Sequence, residues 1–312
     1  MSKRWPLFFL ALVLIATGAV LYLRQQMLKE FQATVEPWFS KGPLAGKIQI
    51  GGYDVSLLQR AGIIKDLRPT DPVLVDNPAL RLEFLGIKRL IIRGFKEDPR
   101  FGIPLHSQVV GQNLRFSFLF KETGRRLNLR ANSRSDLVFH PKKDLLDLDL
   151  EFSSDQGDLA FKLELAKIKD YLLLLGKGDL EDLPQGVFLS RVTKIVPHRL
   201  SFRYEDRGLG RALFYAACPD NCDQRLEEVA RDLERELSGS LTLEGVKKAL
   251  VKILREGRGG IEITVVNKED LALKDFFFVF LGLALEESAQ KSSSKTLFER
   301  LSPYFEFQIK AW

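Results

Sequence analysis

Two cysteines, Cys218 and Cys222, stand four positions apart in Cys-Pro-Asp-Asn-Cys, and the chain has no other thiol. Outside a reducing compartment this spacing points first to a disulfide that closes a small loop in front of a helix. A thioredoxin-like redox pair usually has two intervening residues, and here there are three. Zinc would need further ligands, yet His106, His140 and His198 are far apart along the sequence. Neither a metal nor any other cofactor is expected. Asp147, Asp149 and Glu151 project from one face of one strand, about 7 Å apart. Calcium needs six or more converging oxygens and no loop motif supplies them, so a solvated strand face is the expectation. The Glu205-Asp206 pair, close to Gly208, reads as a strand end and turn rather than a catalytic dyad. Gly-x-Ser-x-Gly, a phosphate-cradling loop ending in Lys-Ser/Thr, and His-Glu-x-x-His are all absent from the sequence. No catalytic residue is assigned, and an enzyme is not expected.

What is left for chemistry is grease and positive charge. Phe116, Phe118 and Phe120, Leu148 and Leu150, and Phe161 and Leu163 recur at alternate positions. They would line the inner face of a sheet and shelter acyl chains, at about 0.8 kcal/mol per buried methylene. Phe276, Phe277 and Phe280 belong to a stretch that is apolar on all sides and could complete a groove against that face. As a buried core helix the same stretch would need no ligand. Between residues 121 and 143 seven basic side chains face only Glu122 and Asp136. Arg125, Arg126, Arg130 and Arg134 among them are candidates for a rim that engages lipid phosphate. An exposed strand face that resists edge-to-edge pairing would explain them equally.

These residues must be positioned by strands. Period-two alternation appears at Lys47–Ile50, Tyr53–Leu58, Leu80–Phe84 and Leu90–Phe95, then around Leu114–Phe120, Leu127–Ala131, Leu146–Phe152 and Leu159–Leu165. Further strands are expected at Leu172–Leu175, Val187–Val192 and Leu200–Tyr204. Asp98-Pro99, Thr123-Gly124, Asp155-Gln156-Gly157 and Gly176-Lys177-Gly178 provide turns between them. A sequential antiparallel meander with one apolar face follows for residues 45–205. Beyond it, Leu226–Leu237 and Val246–Leu254 fit helical faces, Ile261–Val266 a strand, Leu271–Glu287 a third helix and Phe305–Ala311 a last strand. The predicted class is mainly β with a C-terminal α+β region, residues 206–312, whose helices pack on the same curved sheet.

Residues Trp5 to Leu23 are nineteen uncharged positions bounded by Lys3-Arg4 and Arg24. As a helix they reach about 28 Å, close to a bilayer's hydrocarbon thickness. Lys3-Arg4 and the small residues Ala16, Gly18 and Ala19 also fit a cleaved signal peptide, but the length of the stretch and the apolar Val20–Leu23 favour a retained anchor, residues 1–24. Residues 25–44 read as a juxtamembrane helix and linker: Arg24 to Trp38 would continue the helix outward, with Met27, Phe31 and Val35 on one face, and Pro37 and Lys41-Gly42-Pro43 would stop it. The basic N-terminus places the bulk of the chain outside the cytoplasm. A net charge of +6, from 47 basic and 41 acidic side chains, is small for this length; with no nucleic-acid motif it gives no reason to expect a nucleic-acid partner.

Gly52-Tyr53-Asp54-Val55-Ser56-Leu57-Leu58, followed by Gly62-Ile63-Ile64-Lys65-Asp66-Leu67, resembles the opening of AsmA-like bacterial envelope proteins. Arg203-Tyr204-Glu205-Asp206-Arg207-Gly208-Leu209 is similar to the C-terminal portion of anchored periplasmic proteins of related layout. The resemblance implies a single-pass inner-membrane protein whose sheet lies in the periplasm and contacts lipid; it supplies no catalytic residues. The expected function is non-enzymatic binding of a lipid-like molecule in envelope lipid transport or maintenance. The alternative is a structural module that docks another envelope protein.

Overall fold

Among the described residues, twelve antiparallel strands are hydrogen-bonded into one sheet. The computed structural model describes residues 5–40, 45–175, 185–236, 241–276, 278–279 and 300–312. The strands are β1 (Ile48–Gln49), β2 (Gly52–Ser56), β3 (Ala61–Pro69), β4 (Val73–Asp76), β5 (Leu80–Arg93), β6 (His106–Phe120), β7 (Arg126–His140), β8 (Leu145–Ser154), β9 (Gly157–Ala166), β10 (Val196–Asp206), β11 (Gly259–Asn267) and β12 (Phe305–Ala311). From β5 to β12 each strand pairs with the next in sequence; at the other flank the order is β1-β3-β5, with β2 on β3 and β4 on β5. The sheet continues through residue 205 into the C-terminal region.

Residues opposite each other in an antiparallel ladder share a face. The register therefore builds apolar rows across the sheet: Phe84–Phe116–Leu129, Leu150–Phe161–Phe202–Ile263–Ile309, and Leu148–Leu163–Leu200–Val265–Phe307. The reverse face carries cross-strand charge pairs such as Arg134 opposite Glu151, and Asp149 opposite Lys162 with 2.6 Å between charged atoms. One face is greasy and the other is salted.

Helices cover the apolar face at both flanks. Helix α1 (Trp5–Ser40) is continuous over 36 residues. Its Phe31 and Val35 are fully buried against Val55, Ile64, Leu67 and Ile92, as the every-fourth spacing predicts. Residues 5–16 hold most of the uncharged segment expected to cross the bilayer, and their side chains lie outside the described residues. Among the described residues no helix is long and apolar enough to cross a membrane. At the far flank lie α4 (Leu209–Ala217), α5 (Cys222–Glu236) and α6 (Leu241–Glu256). Gly245 of α6 sits over Ile309 and Ala311. Arg255 ties α6 to Glu227 and Glu234 of α5 at 2.7 Å each.

Several expectations need correction. Leu172–Leu175 and Val187–Val192 are not strands but lie in α2 (Lys169–Leu175) and α3 (Gln185–Val192). A run of four leucines has no period, and Asp144 accepts the Lys169 N–H at 2.5 Å to start a helix there. Leu80–Phe84 and Leu90–Phe95 are not separate strands: a bulge at Gly86 breaks the alternation within the single strand β5. Helix α4 has no counterpart in the sequence reading. Residues 280–287 of the expected third helix, with Phe277 and Phe280, lie outside the described residues.

Docking of α1 contains an acid-sensitive contact. Asp54 of β2 bonds Lys65 at 2.8 Å and Arg24 of α1 at 2.7 Å. The Lys65 ammonium, the Arg24 guanidinium and the Val55 N–H hold its carboxyl well below the usual carboxylate range. A folded pKa below the unfolded value of about 3.9 stabilises the fold above that pH, and the contribution fades as pH falls further. Between pH 5 and pH 2, Asp54→Asn is expected to lose less of its denaturant midpoint than the wild type.

Candidate functional site

Strand β7 outruns its neighbour. Its last pair with β8 is Ala131 with Ser154, so residues 126–130 have no partner on that side. The β8–β9 turn stops short and leaves a notch in the sheet. Helix α4 crosses the apolar face beside it, leaving a cavity of about 270 Å³ underneath. Leu82, Phe116, Phe118, Leu129, Phe152 and Leu159 line it from the strands, and Leu209 closes it from α4. Tyr204 and Ala131 add to the wall, and the β8–β9 corner contributes Ser153, Ser154, Gly157 and Asp158.

Both ends of α4 are held by polar side chains. Asp206, 1 % exposed, closes β10. It accepts the Gly208 N–H at 3.2 Å, the Gly210 N–H at 3.1 Å and the Tyr204 hydroxyl at 3.1 Å. Its carboxylate thus satisfies donors at the helix start, where negative charge is favoured. Gly208 adopts φ 119°, which favours glycine. At the other end, Thr123 donates to the Ala216 carbonyl at 2.6 Å. Arg125 donates to the carbonyls of Tyr215 at 2.5 Å and Cys218 at 3.1 Å. The turn between β6 and β7 therefore caps a helix that begins at β10. Burial, reinforced by the Asp206 charge, raises the Tyr204 hydroxyl above its ordinary pKa and keeps it neutral.

The corner is tied down further. Arg207 donates to the Ser154 carbonyl at 2.6 Å and to Asp158 at 2.7 Å, while Ser153 donates to the same carboxylate at 2.6 Å. Burial opposes charge on Asp158, but the Ser153 hydroxyl and the Arg207 guanidinium outweigh it and hold the carboxyl below its usual range. On the other side of the notch lies a polar depression of about 420 Å³, with Asn113, Arg130, Asn132 and Asp155 on its walls. It shares Ala131, Ser153 and Ser154 with the apolar cavity. Arg130 has no ion pair among the described residues.

Of the apolar candidates, Phe116 and Phe118 meet in the cavity. Phe120 pairs with Leu80 one row beyond. Leu148, Leu150, Phe161 and Leu163 share the face, half-buried, but lie outside the cavity. Phe276 stacks near Phe305 at 5.0 Å. The basic residues do not gather into one rim. Arg125 is used to cap α4, and Arg134 pairs with Asp136 at 2.5 Å. Arg126 and Arg130 stay exposed on the polar side of β7. The three carboxylates of β8 have basic neighbours: Asp147 meets the His140 ring at 3.1 Å, Asp149 meets Lys162, and Glu151 lies opposite Arg134. Among the described residues no three His, Cys, Asp or Glu side chains converge as a metal site.

Cys218 and Cys222 form a disulfide with Cα atoms 5.6 Å apart, between α4 and α5. The bond fixes the turn whose Cys218 carbonyl receives Arg125. A loop this short removes little unfolded-state entropy, so reduction is expected to cost no more than about 2 kcal/mol. Thermal melts with and without reductant should differ by a few degrees, and loss of the sheet on reduction would contradict this arrangement.

Sequence reasoning missed Leu82, Leu209, Tyr204 and Asp206 as site residues. It could assign a face to each strand residue, but not its partner across the ladder. No protein-family model and no curated protein matches the chain.

Proposed function

We propose that this is a non-enzymatic, membrane-anchored periplasmic protein that binds a lipid-like molecule, in envelope lipid transport or maintenance. The observation that supports the reading best is the apolar cavity beneath α4, which borders Phe and Leu rows that are half-buried at Leu148, Leu150, Phe161 and Leu163 and exposed at Leu200 and Phe202. Its volume lies near the lower end for ligand pockets, roughly 300–1,000 Å³, and suits part of an acyl chain rather than a whole lipid. Each methylene it takes from water contributes about 0.8 kcal/mol. Arg130, across the shared wall, is the cation placed to meet a phosphate. The uncharged segment Trp5–Leu23 would hold the sheet at the membrane that supplies the ligand.

Full-length protein purified in mild detergent should carry stoichiometric lipid detectable by mass spectrometry. Leu129→Glu, which places a charge in the cavity wall, should lower lipid occupancy at least tenfold, since burying an unpaired charge costs several kcal/mol. Wild-type protein that carries no lipid would overturn the proposal. A stable envelope protein recovered with lipid-free chain would favour the docking module instead.

A further inference from the structure

One end of the sheet combines exposed apolar side chains with unpaired cations, and it is the end at which α1 joins. The strand register places the β2–β3 turn, the loop 94–105, the β7–β8 turn, the start of α2 after β9 and the end of α3 before β10 at this same end. These pieces are knitted together. Phe31 of α1 meets Phe95 at 5.1 Å. Phe101, Phe139, Ile168, Leu172 and Ile195 form one buried cluster. The Leu273 N–H donates to the Ile195 carbonyl at 2.9 Å.

Apolar side chains from three separate elements are nevertheless left in the open here. Leu58, at the β2–β3 turn, is 100 % exposed, Leu189 of α3 is 55 % exposed and Leu273 is 38 % exposed. The turn continues past Asp54, which Arg24 of α1 holds at 2.7 Å. Leu58 therefore stands beyond the salt bridge, on the side from which α1 arrives with its exposed Val20–Leu23. Around these residues Arg60, Lys96, Lys142, Lys143 and Lys194 are exposed and have no ion pair among the described residues. Arg100 and Arg191 are neutralised by Asp98 and Asp170. Among the described residues, exposed Glu97, Glu269 and Asp270 are acidic groups not paired with a lysine or arginine that oppose them.

We infer that this end of the sheet is a bilayer-docking surface: Leu58 and Leu189 dip among anionic lipid headgroups, and the surrounding lysines and arginines contact the phosphates. Apolar tips ringed by cations fit an interface that is oily a few ångströms down and negative at its surface. A protein partner of the usual kind would be met by fewer lone cations around so small an apolar centre. The surface would hold the strands upright on the membrane, with the notch and its cavity at the end of the sheet away from it. The inference rests on the proposed tether, and its test separates the two.

An environment-sensitive fluorescent amino acid is placed singly at Leu12, Leu58, Leu189 or Glu122 of the full chain. Each protein is reconstituted in phosphatidylcholine–phosphatidylglycerol vesicles with brominated acyl chains, which quench by contact. Quenching at 12, 58 and 189, but not at 122 on the opposite end, is the expected result. Replacing phosphatidylglycerol by phosphatidylcholine should reduce quenching at 58 and 189 and leave 12 unchanged. Quenching at 12 alone overturns the docking surface and leaves the tether standing. Equal quenching at 58 and 122 also overturns it, because the end would then have no preference. Quenching at none of the positions overturns tether and surface together.

Discussion

Asp206→Ala is expected to destabilise the protein by about 3 kcal/mol, well beyond an ordinary helix-cap loss of about 1 kcal/mol. The carboxylate is 1 % exposed and serves three donors at once, on Gly208, Gly210 and Tyr204. Alanine leaves all three donors without their acceptor, in a place water cannot easily reach. The nearby packing gives little room for repair, because a Cβ on Gly210 would already lie 2.9 Å from Ile253 of α6 and 3.1 Å from Asp206. The local consequence is as important as the global one. Helix α4 would keep its hold on Thr123 and Arg125 but lose its start, and the cavity roof at Leu209 would lift. Urea denaturation should show a lower midpoint, and amide exchange in residues 208–213 should rise before the rest of the sheet opens. Glu205→Ala, one residue earlier on the exposed face, is the control and should stay within about 0.5 kcal/mol. Equal effects from the two variants would mean that Asp206 does not organise this corner.

The same corner shows what the chain reveals before folding. Apolar alternation assigned a face to nearly every strand residue, because a sheet wet on one side demands it. Phe116, Phe118 and the Leu148–Leu163 rows were visible for that reason. Which rows become neighbours depends on register, and period two forbids odd shifts but does not choose among the even ones. The cavity needs Phe116 and Leu159 to come close across β7 and β8, and only the completed ladder brings them together. Arg125 looked like one more cation in a basic stretch, since nothing local announces that a helix ninety residues later will present its carbonyls there. Asp206 is a different kind of miss. An Asp two residues before Gly208, at the head of the apolar run Leu209–Ala217, is a local helix-start signal, and it was outweighed by the strand pattern that runs up to it. The leucines of α2 failed in the opposite sense: four in succession fit any buried element, and length alone could have argued for one over the other.

The largest single effect is expected at Phe31, where α1 meets the sheet. Its ring is fully buried, contacts Phe95 at 5.1 Å and Tyr53 at 6.2 Å, and lies directly over the backbone of Gly62. Phe31→Ala should cost about 3–5 kcal/mol from lost transfer energy and the cavity left behind. Gly62→Ala should be nearly as damaging for the opposite reason. A Cβ there would fall 2.1 Å from two carbons of the Phe31 ring, and a strand backbone paired with Val55 on one side and Ile92 on the other cannot easily retreat. The two substitutions together provide the decisive measurement. With the ring gone, the new methyl group occupies part of the space it vacated, and alanine suits a strand better than glycine does. The double variant should therefore be no less stable than Phe31→Ala alone, so that the two costs fail to add by at least about 2 kcal/mol. Limited trypsin digestion of the full chain gives an independent readout, since Arg24 and Lys29 lie on α1 and become cleavable when it leaves the sheet. Additive costs in the double variant would show that α1 is held elsewhere. The expected non-additivity would tie the N-terminal helix to one glycine of β3, so that whatever holds the N-terminus of α1 also fixes how the sheet stands.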